Sequence, residues 1–472
     1  MSNISEILIN SEHIETLKIA GQIGDDMNIR TFIVGGYLRD AILGKELKDI
    51  DIMVESNVFE FSRNLSKALK VNKTVEFKKF HTARIPYKIC EIEVANSRSE
   101  TYDRNSRKPD TVNLASVQDD LIRRDFTINA LAASINSKTF GELIDSFDGL
   151  KDLNNGIINT PTDPDTTFID DPLRMLRAIR FAAQLEFDIE PRIKKSIKNN
   201  KDRIAIVSQE RITAEIIKIL RSNKPSISFY LLKELDFLGL IFPELDIMSG
   251  VDIIDNKGHK DVFIHTLEVV DNAAKLSDKM EIRFAALVHD IAKPATKKFN
   301  NKKGWTFHGH EEIGKRMLYK IAKRMKISND LRDYLMSLTK LHLRPIALAK
   351  KEISDSAVRR VMFEAGDNID DLMKLCRADI TTKNPIKIKK YMGNFERVEK
   401  LMKDVKIKDE MKAFKSPVDG MEIMETFSLK EGKIVGLIKK EIEDAILDEK
   451  ISNNYEDAFK YMLKIKDKYI KT

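Results

Sequence analysis

Val34-Gly35-Gly36-Tyr37-Leu38-Arg39-Asp40-Ala41-Ile42-Leu43-Gly44 is followed, after Lys45-Glu46-Leu47-Lys48, by Asp49-Ile50-Asp51-Ile52-Met53-Val54. Arg30 to Val34 reads as a short buried strand, the glycine pair as a turn, and Tyr37 to Leu43 as a helix. Lys48 to Val54 alternates Asp49 and Asp51 with Ile50 and Ile52, which predicts a second strand with one polar and one apolar face. On such a strand the two carboxylates point the same way, about 7 Å apart. They repel unless a cation joins them, and a magnesium ion would do so with hard oxygen ligands while leaving positions for phosphate oxygens. Alone, the DxD reads as readily as a solvated strand face. The glycine pair shifts that balance, because bare amides at a strand-to-helix turn approach a triphosphate closely, and Arg39 follows one helical turn later. Lys88 to Ala95 repeats the alternation, with Ile89, Glu91 and Glu93 against Cys90, Ile92 and Val94, so Glu93 is a further candidate carboxylate.

Around this segment lie 472 residues, 42% apolar and 33% charged, enough for several cores and hence several domains. No apolar stretch reaches the roughly 20 residues of a membrane span, and the first residues lack the basic-then-apolar order of a signal peptide. A cytoplasmic protein is expected. Cys90 and Cys376 show neither a disulfide framework nor zinc-finger spacing, and both are expected to be buried. The formal charge of +7 suits a polyanionic partner but is common among soluble proteins. Beyond Asp170 helical periodicity dominates, and the expected linkers are Asp148 to Asp165, Pro243 to Lys260 and Lys412 to Pro417.

Two further segments follow in order: Arg123-Arg124-Asp125-Phe126-Thr127-Ile128-Asn129-Ala130 and Asp171-Pro172-Leu173-Arg174-Met175-Leu176-Arg177-Ala178-Ile179-Arg180-Phe181. With the stretch from Val34 to Val54 they resemble the signature of polymerase-beta-like nucleotidyltransferases, specifically the bacterial-type (class II) CCA-adding tRNA nucleotidyltransferases and related poly(A) polymerases. The resemblance implies that Asp49, Asp51 and Glu93 are catalytic. It implies that Gly35, Gly36 and Arg39 hold the triphosphate, that Arg124, Asp125 and Asn129 meet the ribose and phosphates, and that Asp171, Arg174 and Arg177 read the base. Asp170 is expected to cap the last helix, Asp171, Arg174 and Arg177 to share one face, and Leu173, Leu176 and Ile179 to fill the other. A carboxylate accepts from an exocyclic amine and an arginine donates to a ring nitrogen or carbonyl, so such a pair imitates base pairing with both C and A. Family members often carry Glu-Asp where this chain has Asp170-Asp171. Ser208 to Ile212, with Glu215 and Lys218, resembles the next motif, a buttressing helix.

Five of the eight histidines fall between His265 and His342. Imidazole and carboxylate are the natural ligands of transition metals. The segments around His265, His289-Asp290, His310, His342 and Asp379 resemble the HD superfamily of metal-dependent phosphohydrolases, which implies a divalent transition metal on those six residues, with His308 a neighbouring donor. Pro417 to Tyr461 resembles the family's tail.

The expected fold is α+β: a small polymerase-beta-like sheet domain (1–150), then a mostly helical neck (151–240), an HD body (241–400) and a tail (401–472). The expected function is template-independent addition of CCA to tRNA from CTP and ATP. The rivals are a poly(A) polymerase and an HD phosphohydrolase on an RNA-binding, non-catalytic scaffold. Nothing in the sequence sets the oligomeric state.

Overall fold

The computed structural model describes residues 3–88, 90–102, 109–255, 257–349, 354–409 and 416–470. Ile89, and the part of the expected Lys412–Pro417 linker up to residue 415, lie outside the described residues. The chain forms two compact units, Met1–Asp246 and Ile247–Thr472, dividing inside the expected Pro243–Lys260 linker. None of the described helices is long and apolar enough to cross a membrane.

The first unit is built on strands β1 (Thr31–Val34), β2 (Ile50–Val54), β3 (Val75–Phe77), β4 (Thr82–Tyr87), β5 (Cys90–Asn96), β8 (Ala132–Ser134) and β9 (Leu143–Ile144). They lie in the order β3-β4-β5-β2-β1-β8-β9, and β6 (Arg98–Tyr102) with β7 (Pro109–Leu114) makes a separate hairpin. Among the described residues, only β2 and β5 pair in parallel within the large sheet. A parallel pair needs a crossover, and here the crossover leaves β2 through a helix and returns by the β3-β4 hairpin. That helix, Val58–Ala68, buries Val58, Phe61, Ser62, Leu65 and Ser66, the i, i+3, i+4, i+7, i+8 stripe of a helix laid on a sheet. Helix α1 (Ile14–Asp26) packs against the backbone leaving β8, closely enough that a Cβ on Gly21 would lie 1.8 Å from the Ile135 carbonyl oxygen.

Helix α2 (Gly35–Ile42) begins at the glycine pair itself, so the expected turn is the helix's first turn. The β2 strand starts at Ile50 and leaves Asp49 in the bend before it. After α3 (Val117–Ile122) come α4 (Pro164–Asp170), α5 (Leu173–Leu185) and α6 (Gln209–Leu220), all in the same unit as the sheet. The expected linker from Asp148 to Asp165 is ordered into helix Gly149–Asn155 and strand Ile157–Ile158, which pairs with Asp188–Ile189.

The second unit is helical: α7 (Val262–Leu276), α8 (Met280–Val288), α9 (His310–Arg324), α10 (Asn329–Leu341), α11 (Ile369–Ala378) and α12 (Pro385–Asp409). The basic run from Lys297 to Lys303 folds as a hairpin, Lys298–Asn300 against Gly304–Thr306. Towards the carboxyl end Val418, Ile423, Val435, Ile438, Ile442, Ile446, Ala458, Met462 and Ile465 form a core of their own. Cys376 is buried, but Cys90 is only half-buried, because it follows directly on the tight connection between β4 and β5.

A Gly21→Ala substitution has no room beside a fixed backbone carbonyl. It should lower the stability of the first unit by about 2–3 kcal/mol, read by urea unfolding, while the second unit's transition stays in place.

Candidate active site and metal centre

The register of the parallel pair places Asp51 beside Glu93, with Ile50 opposite Ile92 and Ile52 opposite Val94 in the core behind them. Asp49 is exposed and accepts a hydrogen bond from the Glu91 amide at 3.1 Å, which holds its carboxylate near the same edge. Burial, opposed by Arg124 but aided by Glu93 and Asp49, pushes Asp51 up to about 6. An added cation would relieve that repulsion, so the donor set fits a hard divalent ion. Arg84, opposite Glu93 on β4, lies 3.3 Å from the Glu93 carboxylate. Gly35 has a positive φ of 64°, and a Cβ there would meet Arg124 Nη1 at 3.1 Å and Asp51 Oδ2 at 3.4 Å. Only glycine leaves the charge pair and the helix amides bare to a ligand.

Facing these groups is a cleft of about 700 Å³ whose walls carry eight arginines and five carboxylates. A continuous polar network organises one side. Arg39 is buried, grips Asp40 through two bonds of 2.8 Å and donates to Asn129 Oδ1 at 2.9 Å. Asn129 in turn donates to Asp125 at 3.0 Å, and Arg177 closes on the same carboxylate at 2.7 and 2.5 Å. Burial alone would raise Asp125, but Arg177, Asn129 and Arg174 bring it down to about 2. Arg124 bonds Asp120 and the Asn129 carbonyl.

The pair expected to read the base is arranged differently from the sequence expectation. Asp170 ends α4, and Asp171, in extended conformation, is the carboxylate that accepts from the Leu173 amide at 3.2 Å. Asp171 is held by Arg211 of α6 at 2.8 Å, whereas Arg174 donates to the Arg123 carbonyl at 2.6 Å. Asp171, Arg174 and Arg177 all line the cleft, and Leu173, Leu176 and Ile179 are buried behind them. Sequence reasoning left out Asp120, which is 1% exposed and bonds both Arg123 and Arg124. Its signal was the helical spacing Asp120-x-x-Arg123-Arg124. Arg211 and Glu215 lay in the buttress motif, and Glu215 forms a buried pair with Arg180 at 2.6 Å.

In the second unit, His265 lies near the start of α7, His289-Asp290 follows α8, His310 opens α9, His342 follows α10 and Asp379 follows α11. The Nδ1 atoms of His289, His310 and His342 bond the carbonyls of Ala286, Phe307 and Thr339 at 2.6–2.7 Å, and that of His265 bonds the Thr381 hydroxyl. Every Nε2 is thereby turned inward. His265 and His289 converge with Asp379, and His310 and His342 with Asp290, as two ligand groups. His289 Nε2 and the Asp290 carboxylate are buried and face each other at 3.2 Å, with His310 Nε2 3.2 Å from the other Asp290 oxygen, the pattern of a divalent-metal centre whose ligands are oriented from behind. Burial would lower His289, but the Asp290 and Asp379 carboxylates outweigh it and raise the group, while burial and the neighbouring His289 push His342 down to about 4. Lys293 lies 2.5 Å from Asp290. His308 is exposed and belongs to neither ligand group.

Fold and cleft define a polymerase-beta-like nucleotidyltransferase head joined to an HD metal centre. Residues 31–159 match the poly A polymerase head domain, 186–248 the probable RNA and SrmB-binding site of polymerase A, and 262–382 the HD domain. The chain is 33% identical over 324 residues to the multifunctional CCA protein of Psychromonas ingrahamii, covering 66% of this chain and 75% of that protein. It is 41% identical over 198 residues to the A-adding tRNA nucleotidyltransferase of Aquifex aeolicus, covering 42% of this chain but 24% of that protein. A solved tRNA nucleotidyltransferase complexed with a primer tRNA and an incoming ATP analog is 27% identical, with 80% of this chain and 99% of that one covered at a TM-score of 0.59. The chain belongs to the family of CCA-adding tRNA nucleotidyltransferases that carry an HD domain.

Asp125 titrates below its ordinary 3.8 in the folded protein, so its pair with Arg177 stabilises at neutral pH and is lost as pH falls from about 4 to about 2. Arg177→Gln should therefore cost about 3 kcal/mol at pH 7 and distinctly less at pH 3, measured by urea unfolding at both.

Proposed function

We propose that this protein completes the 3′ end of tRNA by adding C, C and A from CTP and ATP. The observation that carries the reading is the pair Asp51 and Glu93 set against the Gly35-Gly36 turn in an arginine-lined cleft, with Asp49 in the bend just before β2. Asp49 and Asp51, with Glu93 beside them, would hold two magnesium ions. Bound magnesium lowers the pKa of the attacking 3′ hydroxyl and neutralises the departing pyrophosphate. Arg39 and the glycine amides steady the triphosphate, and Arg124, Asp125 and Asn129 the ribose and phosphates. Asp171 and Arg174 present an acceptor and a donor to the base, with Arg177 fixing the network beneath. Uracil and guanine present a carbonyl oxygen where C and A present the exocyclic amine, so at that position they offer this carboxylate no donor.

Within the two units we assign the chemistry to residues 1–150, base and RNA contacts to 151–240, the HD centre to 241–400 and tRNA binding to 401–472. A protein that finishes tRNA works where tRNA is matured, which supports a cytoplasmic location. At the HD centre the convergent Nε2 atoms support a second activity, hydrolysis of phosphate esters such as 2′,3′-cyclic RNA ends, with a transition metal on His265, His289, Asp290, His310, His342 and Asp379.

A tRNA lacking its end, given CTP and ATP, should gain a discrete three-nucleotide extension on a sequencing gel. A long ladder from ATP alone would instead mark a poly(A) polymerase, and a single A added only to tRNA ending in CC an A-adding enzyme. Asp51→Asn should lower incorporation of both nucleotides by at least a thousandfold. Arg174→Ala should instead blur the choice among nucleotides, and unchanged selectivity would remove it from base reading. Hydrolysis of 2′,3′-cyclic ends should stop on metal chelation and in His289→Ala, with nucleotide addition restored once magnesium is returned.

A further inference from the structure

Beside the HD centre lies a cavity of about 550 Å³ that opens on His265 and Asp379. Their side chains are 14% and 21% exposed, while those of His289 and Asp290 are 1% exposed, so a ligand reaches the metal group from the His265 side. The wall of this cavity is supplied in part by α12, which lies beyond the matched HD region. Lys387, Tyr391, Asn394 and Phe395 of α12 line it, at the i, i+4, i+7, i+8 spacing of one helix face. Phe307 lines it too, with the Lys293 ammonium 5.8 Å from its ring centre. Tyr391 and Ile346 stay 41% and 44% exposed at the cavity. The wall is fixed in place, because Arg377 at the end of α11 grips Glu399 of α12, with one bond of 2.9 Å.

A flat apolar face beside cations suits a ligand with an aromatic ring at one end and a phosphate at the other. Lys260, Lys293 and Lys387 are the cations in the lining that also holds His265 and Asp379. We infer that Tyr391 of α12 is a specificity-determining residue of the HD centre, selecting phosphate esters that carry a heteroaromatic ring over ring-less ones, while Lys387 on the same helix face binds the phosphate of either. The inference rests on the hydrolase reading for the reacting end of the ligand, and on the cavity alone for the ring end.

The test compares a nucleoside 2′,3′-cyclic phosphate with glycerol 1,2-cyclic phosphate, using the full chain supplied with a divalent transition metal. Tyr391→Ala should raise KM for the nucleoside ester about tenfold, with kcat unchanged and the glycerol ester unaffected, and Tyr391→Phe should restore the wild-type value. Lys387→Ala should raise KM for both esters, and CCA addition should be unchanged in all three variants. Calorimetric titration of a nucleoside 2′-monophosphate into wild type and Tyr391→Ala should give a matching tenfold loss of affinity. Equal effects of Tyr391→Ala on both esters, or none on either, would overturn the inference. If wild type hydrolyses neither ester but loses nucleotide affinity with Tyr391, the ring subsite stands and the hydrolase reading falls.

Discussion

Everything in the first unit hangs on the parallel pairing of β2 with β5. In-register parallel strands put equivalent residues on one face, so a single register sets Asp51 beside Glu93 and Ile50, Ile52, Ile92 and Val94 behind them. A slip of one residue would bury the carboxylates and expose the isoleucines. The apolar face thus enforces the geometry of the polar one. The repulsion stored at that polar face is what a divalent cation would discharge, and the bare amides of α2 stand where a triphosphate would bring it.

The arginines opposite are positioned by carboxylates that are themselves buried. Asp120 orients Arg123 and Arg124, Asp125 orients Arg177, and Glu215 orients Arg180. Holding each guanidinium in a fixed direction before ligand arrives lets the cleft stabilise developing charge without reorganising. The second unit solves the same problem with backbone carbonyls. Three histidines donate Nδ1–H to carbonyls in the turn before them, which selects the tautomer and aims Nε2 at Asp290 and Asp379. In both units, then, the groups offered to a ligand are oriented by hydrogen-bond partners already in place.

The spacing of the motifs made much of this legible in advance. Period-two alternation revealed both strands and their polar faces, and the order of the histidine segments indicated one centre although they are spread from His265 to Asp379. Where local reasoning went astray, a tertiary partner was responsible. Asp170 has the right type and place for a cap, but α4 uses it as its last residue and Asp171 takes over the bond to Leu173. Asp148 to Asp165 carries turn residues, yet it is ordered by pairing Ile157–Ile158 with Asp188–Ile189 further along the chain.

The sequence by itself determined which chemistry is present: paired carboxylates after a glycine turn, arginines at helical spacing, and a set of histidines with aspartates. These follow from residue type and short-range periodicity, which act within a few residues of chain. Only the tertiary structure decided the pairings. Glu93 rather than another acid stands beside Asp51, Arg211 rather than Arg174 holds Asp171, and α12 joins the HD helices in walling the second cavity. Those choices depend on strand register and helix packing between residues far apart in sequence, where burial and charge complementarity are settled by the whole unit at once.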